Sequence, residues 1–174
     1  MRPRFSLARR KAAELLREAR VRTAPVPVEA MAVLAGAVIR YEPFPGQLSG
    51  MVHRQRDGRA VIGVNSLHPV TRRRFTIAHE LGHLLLHEDE KFHVDEKSTI
   101  AFRNQESSQA TSSDEIEANQ FAAELLMPSE IIAKEIKMLP EDIETEDAVA
   151  QLAVRFQVSE QAMTLRLTRL GVLA

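Results

Sequence analysis

The chain contains no cysteine and no tryptophan, one tyrosine and only seven glycines in 174 residues. Without cysteine there are no disulfides, no thiolate metal ligands and no thiol nucleophile. That fits a reducing compartment. No apolar run approaches the roughly 18 residues of a membrane span. Residues 1–20 lack the apolar core of a secretory signal. They are arginine-rich and amphipathic, in the manner of a mitochondrial presequence, but Glu14 and Glu18 argue against that address. The expectation is a cytoplasmic protein with no membrane contact. A large excess of one charge is also missing: 23 basic residues face 24 acids, for a net charge of −1. The balance hides blocks. Residues 1–22 carry eight basic groups against two acids, and residues 114–147 carry eleven acids against two lysines. Such blocks are expected to be solvated faces or the two ends of a salt-bridged fold.

Against these absences stands one dense motif, His79-Glu80-Leu81-Gly82-His83, inside the apolar run Phe75 to Leu86. On a helix, positions i and i+4 share a face one turn apart, so His79 and His83 can offer two imidazole nitrogens to one ion. Zinc suits them, because it takes nitrogen and oxygen ligands tetrahedrally and leaves a position for water at a catalytic site. Glu80 is placed to take a proton from that water. The bare H-E-x-x-H pattern would arise in about one shuffled chain in fifty, so the context matters. Pro69 and Thr71 make a helix start, and a buried helix carrying three polar groups needs a reason for them.

A third ligand must come from elsewhere. The metzincin pattern continues with a glycine and then a histidine, three and six positions beyond the second histidine. This chain has Leu86 and Asp89 at those places, so that pattern is excluded. Downstream, Ser112 or Ser113 can cap a helix that fills its first turn with acids and ends at Pro128. Its apolar face is Ala118, Phe121, Ala122 and Leu125, with Leu126 alongside. Glu115 and Asn119 continue that side, while Glu117 points about 200° away. Glu115 is therefore the expected third ligand and Asn119 a partner behind the ligands. Asp114, Glu117 and Asp89 are the alternatives.

The stretch Arg74 to His87, the stretch Glu115 to Pro128, and the pieces Leu48-Ser49-Gly50 and Ile62-Gly63-Val64-Asn65 together resemble the ImmA/IrrE family of metallo-endopeptidases, over roughly residues 25–172. The resemblance implies an α+β, minimal zincin-like fold of the gluzincin type. It implies zinc at His79, His83 and Glu115, with Glu80 as the catalytic base. Manganese or iron(II) are alternatives, since affinity order alone does not fix the metal. It further implies cleavage of a helix-turn-helix repressor of the Xre type, often encoded nearby, in a stress-response or mobile-element switch. Larger relatives add a C-terminal sensor domain, for which this length leaves no room.

The remaining organisation reads as follows. Residues 1–24 form a basic amphipathic helix with Ala8, Ala12, Leu15, Leu16 and Ala19 as its buried stripe. Residues 25–138 form the peptidase core, and 139–174 a helical element packed on it. In the core, a helix from Val28 to Ala35 ends at Gly36. Strands follow at Val38 to Glu42, Gly50 to Arg54 and Ala60 to Val64, making a small three-stranded or larger antiparallel or mixed sheet. Asp57-Gly58 is a hairpin signal. The polar stretch Glu88 to Ser113 is long for a connection, with Thr99 to Phe102 a candidate short strand. Strand Gly50 to Arg54 could take an extended substrate as an added strand. Arg72-Arg73-Arg74 could bind an acidic substrate segment or phosphate, or only solvate the helix start. His87, a further step of four along, is expected beside the metal rather than on it. His53, His93 and Tyr41 are candidates to stabilise an oxyanion.

Asp147 to Phe156, then Gln157-Val158-Ser159, then Glu160 to Leu170 have helix-turn-helix spacing. Only Arg166 and Arg169 are basic on the second helix, which is thin for phosphate neutralisation, so nucleic acid is the weaker partner and a packing role the stronger expectation. The alternative to a peptidase is a regulatory protein, including a toxin–antitoxin component, that binds DNA or a repressor and keeps a non-catalytic metal site.

Overall fold

The structure is a computed structural model describing residues 2–55, 58–87, 92–95, 113–140 and 144–173. Its core follows from where the apolar periodicity changes. The N-terminal helix α1 (Phe5–Glu18) buries Ala8, Ala12 and Leu15 on one stripe, with Leu16 and Ala19 half-buried beside them. Helix α2 (Val28–Leu34) stops where Gly36 adopts φ +80°, a left-handed conformation that glycine takes without strain. The chain then enters β1 (Ala37–Glu42). Strands β2 (Gly50–Arg54) and β3 (Ala60–Asn65) form the antiparallel hairpin signalled at Gly58, which sits at φ +85°. Strand β1 pairs with β3 in parallel.

A fourth strand, β4 (Phe92–Asp95), lies inside the polar stretch, where the sequence shows no strand signal. It pairs antiparallel with β2, with Gly50 opposite Asp95. The sheet is thus mixed and four-stranded, in the order β1-β3-β2-β4. This corrects one expectation: β2 is an inner strand with both ladders occupied by β3 and β4, so it has no free edge for a substrate. Among the described residues the edges are β1 and β4. Thr99 to Phe102, Ser112 and Asp89 lie outside the described residues.

Helix α3 (Val70–Leu86) packs on β2 and β3 on one side and on α4 (Ser113–Leu126) on the other. Being enclosed, it buries residues all round, including Ile77, Leu81 and Leu84. Its last carbonyls receive cations: Arg54 donates to Leu84 O, and Arg4 to Leu86 O at 3.2 Å. Positive charge suits the C-terminal end of a helix dipole. At the other end the three consecutive arginines are occupied structurally. Arg72 donates to Ser49 Oγ at 2.8 Å, Arg73 stacks over the Tyr41 ring at 5.6 Å, and buried Arg74 donates to Val26 O at 2.7 Å. Burial pulls the Arg74 guanidinium below its usual pKa. Buried Asn65 organises the loop before β2. Its side chain accepts from Leu67 N and Phe44 N and donates to Leu48 O at 2.8 Å, which brings the chain to Gly50 in register.

Helix α1 lies against α4, and the charge blocks meet there. Arg4 pairs with Glu117 at 2.8 Å and Arg9 with Glu124 at 3.3 Å. After α5 (Ser129–Ile136), helices α6 (Thr145–Phe156) and α7 (Glu160–Arg169) form the helix-turn-helix-like pair. Gln157 turns the chain in the left-handed conformation at φ 54°, Val158 N returns to Ala153 O, and Ser159 Oγ caps α7 by accepting from Ala162 N. One of the two basic residues of α7 is turned inward. Arg166 is buried on α7 with Met163 and Leu167, where it donates to Met127 O at 3.0 Å and to both oxygens of Glu124 at 3.0 and 2.5 Å. Arg169 stays exposed.

Breaking this bidentate pair leaves Glu124 with only Gln120 and the exposed Arg9 as partners, and leaves the Met127 carbonyl without its side-chain donor. Arg166→Ala is therefore expected to lower stability by about 2–4 kcal/mol, below the full cost of a sealed pair because Arg9 also reaches Glu124. Urea unfolding measures it. An unchanged midpoint would show that α7 is held by its apolar contacts alone. Among the described residues, no helix is long and apolar enough to cross a membrane.

Candidate metal centre

A spacing of four on α3 stacks His79 and His83 along one face, and the structure places their Nε2 atoms 3.1 Å apart with the rings edge to face. Both residues are buried. Glu115, in the first turn of α4, completes the group: its carboxylate oxygens lie 3.2 Å from His83 Nε2 and 3.5 Å from His79 Nε2. The three donor atoms lie within 4.8 Å of one another. Glu115 is the most open member, its side chain 26% exposed, so the cluster faces outward on that side.

Whether this donor set fits a divalent ion is decided by the ring nitrogens. His79 Nδ1 lies 3.0 Å from Asn119 Oδ1. A carboxamide oxygen only accepts, so Nδ1 carries the proton and Nε2 presents its lone pair to the cluster. Two imidazoles, one carboxylate and an open side make an incomplete tetrahedron of the kind zinc occupies. Phe75 stacks on His79 with centroids 6.1 Å apart and restricts its ring further. Asn119 thus sits where the spacing on α4 puts it, behind the histidine.

Glu80, next to His79 on α3, is fully buried. It faces β2 at Gly50. A Cβ built on Gly50 would stand 3.2 Å from Glu80 Oε1, 3.0 Å from Gly63 O and only 2.3 Å from Thr76 Cγ2. The absence of a side chain at residue 50 is what lets the α3 face carrying Thr76 and Glu80 lie on the sheet. A second close approach joins the two donor helices: a Cβ at Gly82 would lie 3.0 Å from Ala118 Cα, 3.1 Å from its carbonyl oxygen and 3.3 Å from its Cβ. Helix α4 therefore crosses α3 nearly backbone to backbone, one residue before His83 and three after Glu115.

His87 belongs to a neighbouring group. Its ring centroid is 5.3 Å from that of His83, but its Nε2 lies 3.3 Å from Asp114 O and its Nδ1 3.6 Å from Asp114 Oδ1. With Asp114 and Glu117 it forms a second cluster of metal-ligand type. That cluster already holds a cation. Arg4 Nη2 and Nε reach Glu117 Oε2 at 2.8 and 3.1 Å, and Arg4 N reaches Oε1 at 2.6 Å. Burial pushes the Glu117 carboxyl up, but the hydrogen bonds and charge of Arg4 outweigh it and hold Glu117 below the usual carboxylate range. Asp114 and Glu117 are thus turned toward His87 and Arg4 rather than into the three-donor group. Of the oxyanion candidates, Tyr41 lies on β1 and donates to Glu29 at 3.1 Å, and His53 is exposed on β2. The side chain of His93 is outside the described residues. Arg4 and Gly50 carry no motif signal of their own: a pairing across 113 residues leaves no spacing, and the glycine shows only as part of Leu48-Ser49-Gly50.

Residues 34–168 match the family model of peptidase M78, described as the IrrE N-terminal-like domain. No curated protein matches the chain. Among solved structures, a Mycobacterium tuberculosis transcriptional regulator is similar in fold, with a TM-score of 0.59 at 21% identity. The alignment covers 92% of this chain and 46% of that one, so the chain spans about half the length of that relative.

Proposed function

Given that the chain belongs to the peptidase M78 family, we propose that it is a zinc-dependent endopeptidase that cuts a regulatory protein in the cytoplasm. The observation that carries this reading is the convergence of His79, His83 and Glu115 beside buried Glu80. These three residues would hold the metal. A bound zinc ion supplies Lewis acidity toward a substrate carbonyl. The chain's own groups do the rest. Asn119 holds the proton on His79 Nδ1 and so turns the Nε2 lone pair toward the cluster. Glu80 takes a proton from the attacking water and passes it to the departing amine nitrogen. Its place in the packed seam between α3 and β2 keeps the carboxylate aimed without a long search among rotamers. An extended substrate would lie along β4, the sheet edge on the side of the site, since Asp95 there pairs with Gly50 against Glu80.

The proposed substrate is a helix-turn-helix repressor, whose loss would switch genes on. The similar M. tuberculosis protein is named a transcriptional regulator, which is consistent with a role near gene control. The second reading, a DNA-binding regulator acting through α7, has little to stand on: the central basic side chain of that helix, Arg166, is committed to Glu124 and Met127. The test is incubation of the zinc-loaded chain with a purified helix-turn-helix repressor encoded beside it, read by intact-mass spectrometry. The expected outcome is two fragments whose masses sum to the repressor plus one water. Metal binding and repressor binding without fragments would overturn the peptidase reading in favour of a regulatory binder.

A further inference from the structure

We infer that Arg4 is a positioning residue for the three-donor site: it ties the second turn of α4, at Glu117, to the last turn of α3, at Leu86, and so sets where Glu115, in the turn before Glu117, stands relative to His79 and His83. The inference rests on the reading that these three residues hold a metal. One guanidinium makes both attachments. Nη2 donates to Glu117 Oε2 at 2.8 Å and to Leu86 O at 3.2 Å, while Nε donates to both oxygens of Glu117 at 3.1 Å. The backbone amide of Arg4 adds a bond to Glu117 Oε1 at 2.6 Å. Glu117 is two residues from Glu115, and Leu86 is three from His83. The Glu117 carboxylate is nearly sealed, at 2% exposure, while the Arg4 side chain is 45% exposed, so the geometry is held from the carboxylate side by four converging hydrogen bonds.

The clamp is local rather than a general anchor for α1. Ala8, Ala12 and Leu15 already bury that helix on its neighbours without any help from Arg4. Helix α1 offers its own comparison in Arg9. That residue ties α1 to α4 through Glu124, but at the far end of α4 and with its side chain 65% exposed. Arg4 also lies outside residues 34–168, so the site would depend on a contact from beyond the family domain.

The experiment uses the full chain, stripped of metal and titrated with Co²⁺ against a competing chelator. The affinity and the visible ligand-field bands are read together with melting of the metal-free protein. Arg4→Ala is expected to weaken Co²⁺ binding by about tenfold or more and to alter the bands. Arg4→Lys should recover part of the loss, and Arg9→Ala should bind as the wild type does. If Arg4→Ala does not fold, Glu117→Gln, which keeps the size of the side chain and weakens the clamp, is expected to show the same loss. Wild-type affinity and bands in a folded Arg4→Ala, or an equal loss in Arg9→Ala, would overturn the inference. Failure of the wild type to bind Co²⁺ would instead overturn the metal-site reading beneath it.

Discussion

Replacing Glu80 by Gln is expected to leave metal content unchanged and to lower peptide cleavage by about 10³-fold or more. The two effects separate because Glu80 is not among the three converging donors. Glutamine matches glutamate in shape, so His79, His83 and Glu115 should keep their places. What is lost is the ability to accept a proton from water, a contribution of roughly 10²–10⁴-fold in general acid–base catalysis. The second transfer, to the leaving nitrogen, fails with it. Stability should hold or rise slightly, since a buried carboxylate bears a desolvation cost that a neutral amide does not. Metal analysis and cleavage rates on the same preparation decide the matter. A purified Glu80→Gln protein that still cuts would remove Glu80 from the role of base, whatever the metal does.

The second large effect is expected from Gly50→Ala. A methyl at residue 50 would stand 2.3 Å from Thr76 Cγ2, a separation that atoms do not tolerate. The obstacle is no flexible tip: Thr76 is a buried, β-branched residue in mid-helix with few rotamers to choose from. Gly63 O, at 3.0 Å, closes the other side. Replacing glycine within a strand ordinarily gains about 0.5–1 kcal/mol. Here overpacking costs more, roughly 2–4 kcal/mol, and pushes α3 off β2. The Glu80 carboxylate rides on that displacement, so cleavage should fall further than stability alone explains. Thr76→Ser removes the offending methyl. The double variant should regain most of the stability lost by Gly50→Ala and part of the activity. Equal melting temperatures for Gly50→Ala and wild type would show that the α3–β2 seam is looser than its contacts indicate.

The elements legible in the sequence were those whose signal is local. Gly36 and Gly58 mark a helix end and a hairpin because each meets a backbone demand within a few residues. The spacing of four between His79 and His83, and of three and four from Glu115 and Asn119 to the apolar stripe of α4, is helix geometry written directly in the chain. What escaped depends on distant partners. Strand β4 is four residues long in polar surroundings, and only its ladder with β2 makes it a strand. Once it is there, β2 cannot be an edge, so the substrate pairing read from β2 failed for the same reason. Arg166 is a different case. Met163, Arg166, Leu167 and Leu170 follow a helical stripe, and that spacing alone puts the arginine on the packed face. Its carboxylate partner, 42 residues upstream, is what no local spacing could show.

The crossing of α3 and α4 at Gly82 and Ala118 has a consequence for how such a protein can change over time. One partner has no side chain to lose and the other has a single methyl group. The pair therefore stands close to a hard floor. Nearly every substitution at either position adds atoms, and added atoms can only drive the helices apart. Variation here is one-directional: it opens the space between the histidines and Glu115 and leaves almost no route to a tighter fit. Lineages that drift at these two positions keep two imidazoles and one carboxylate but hold them farther apart, so they should move toward a looser grip on the same class of ion, or toward holding no ion at all.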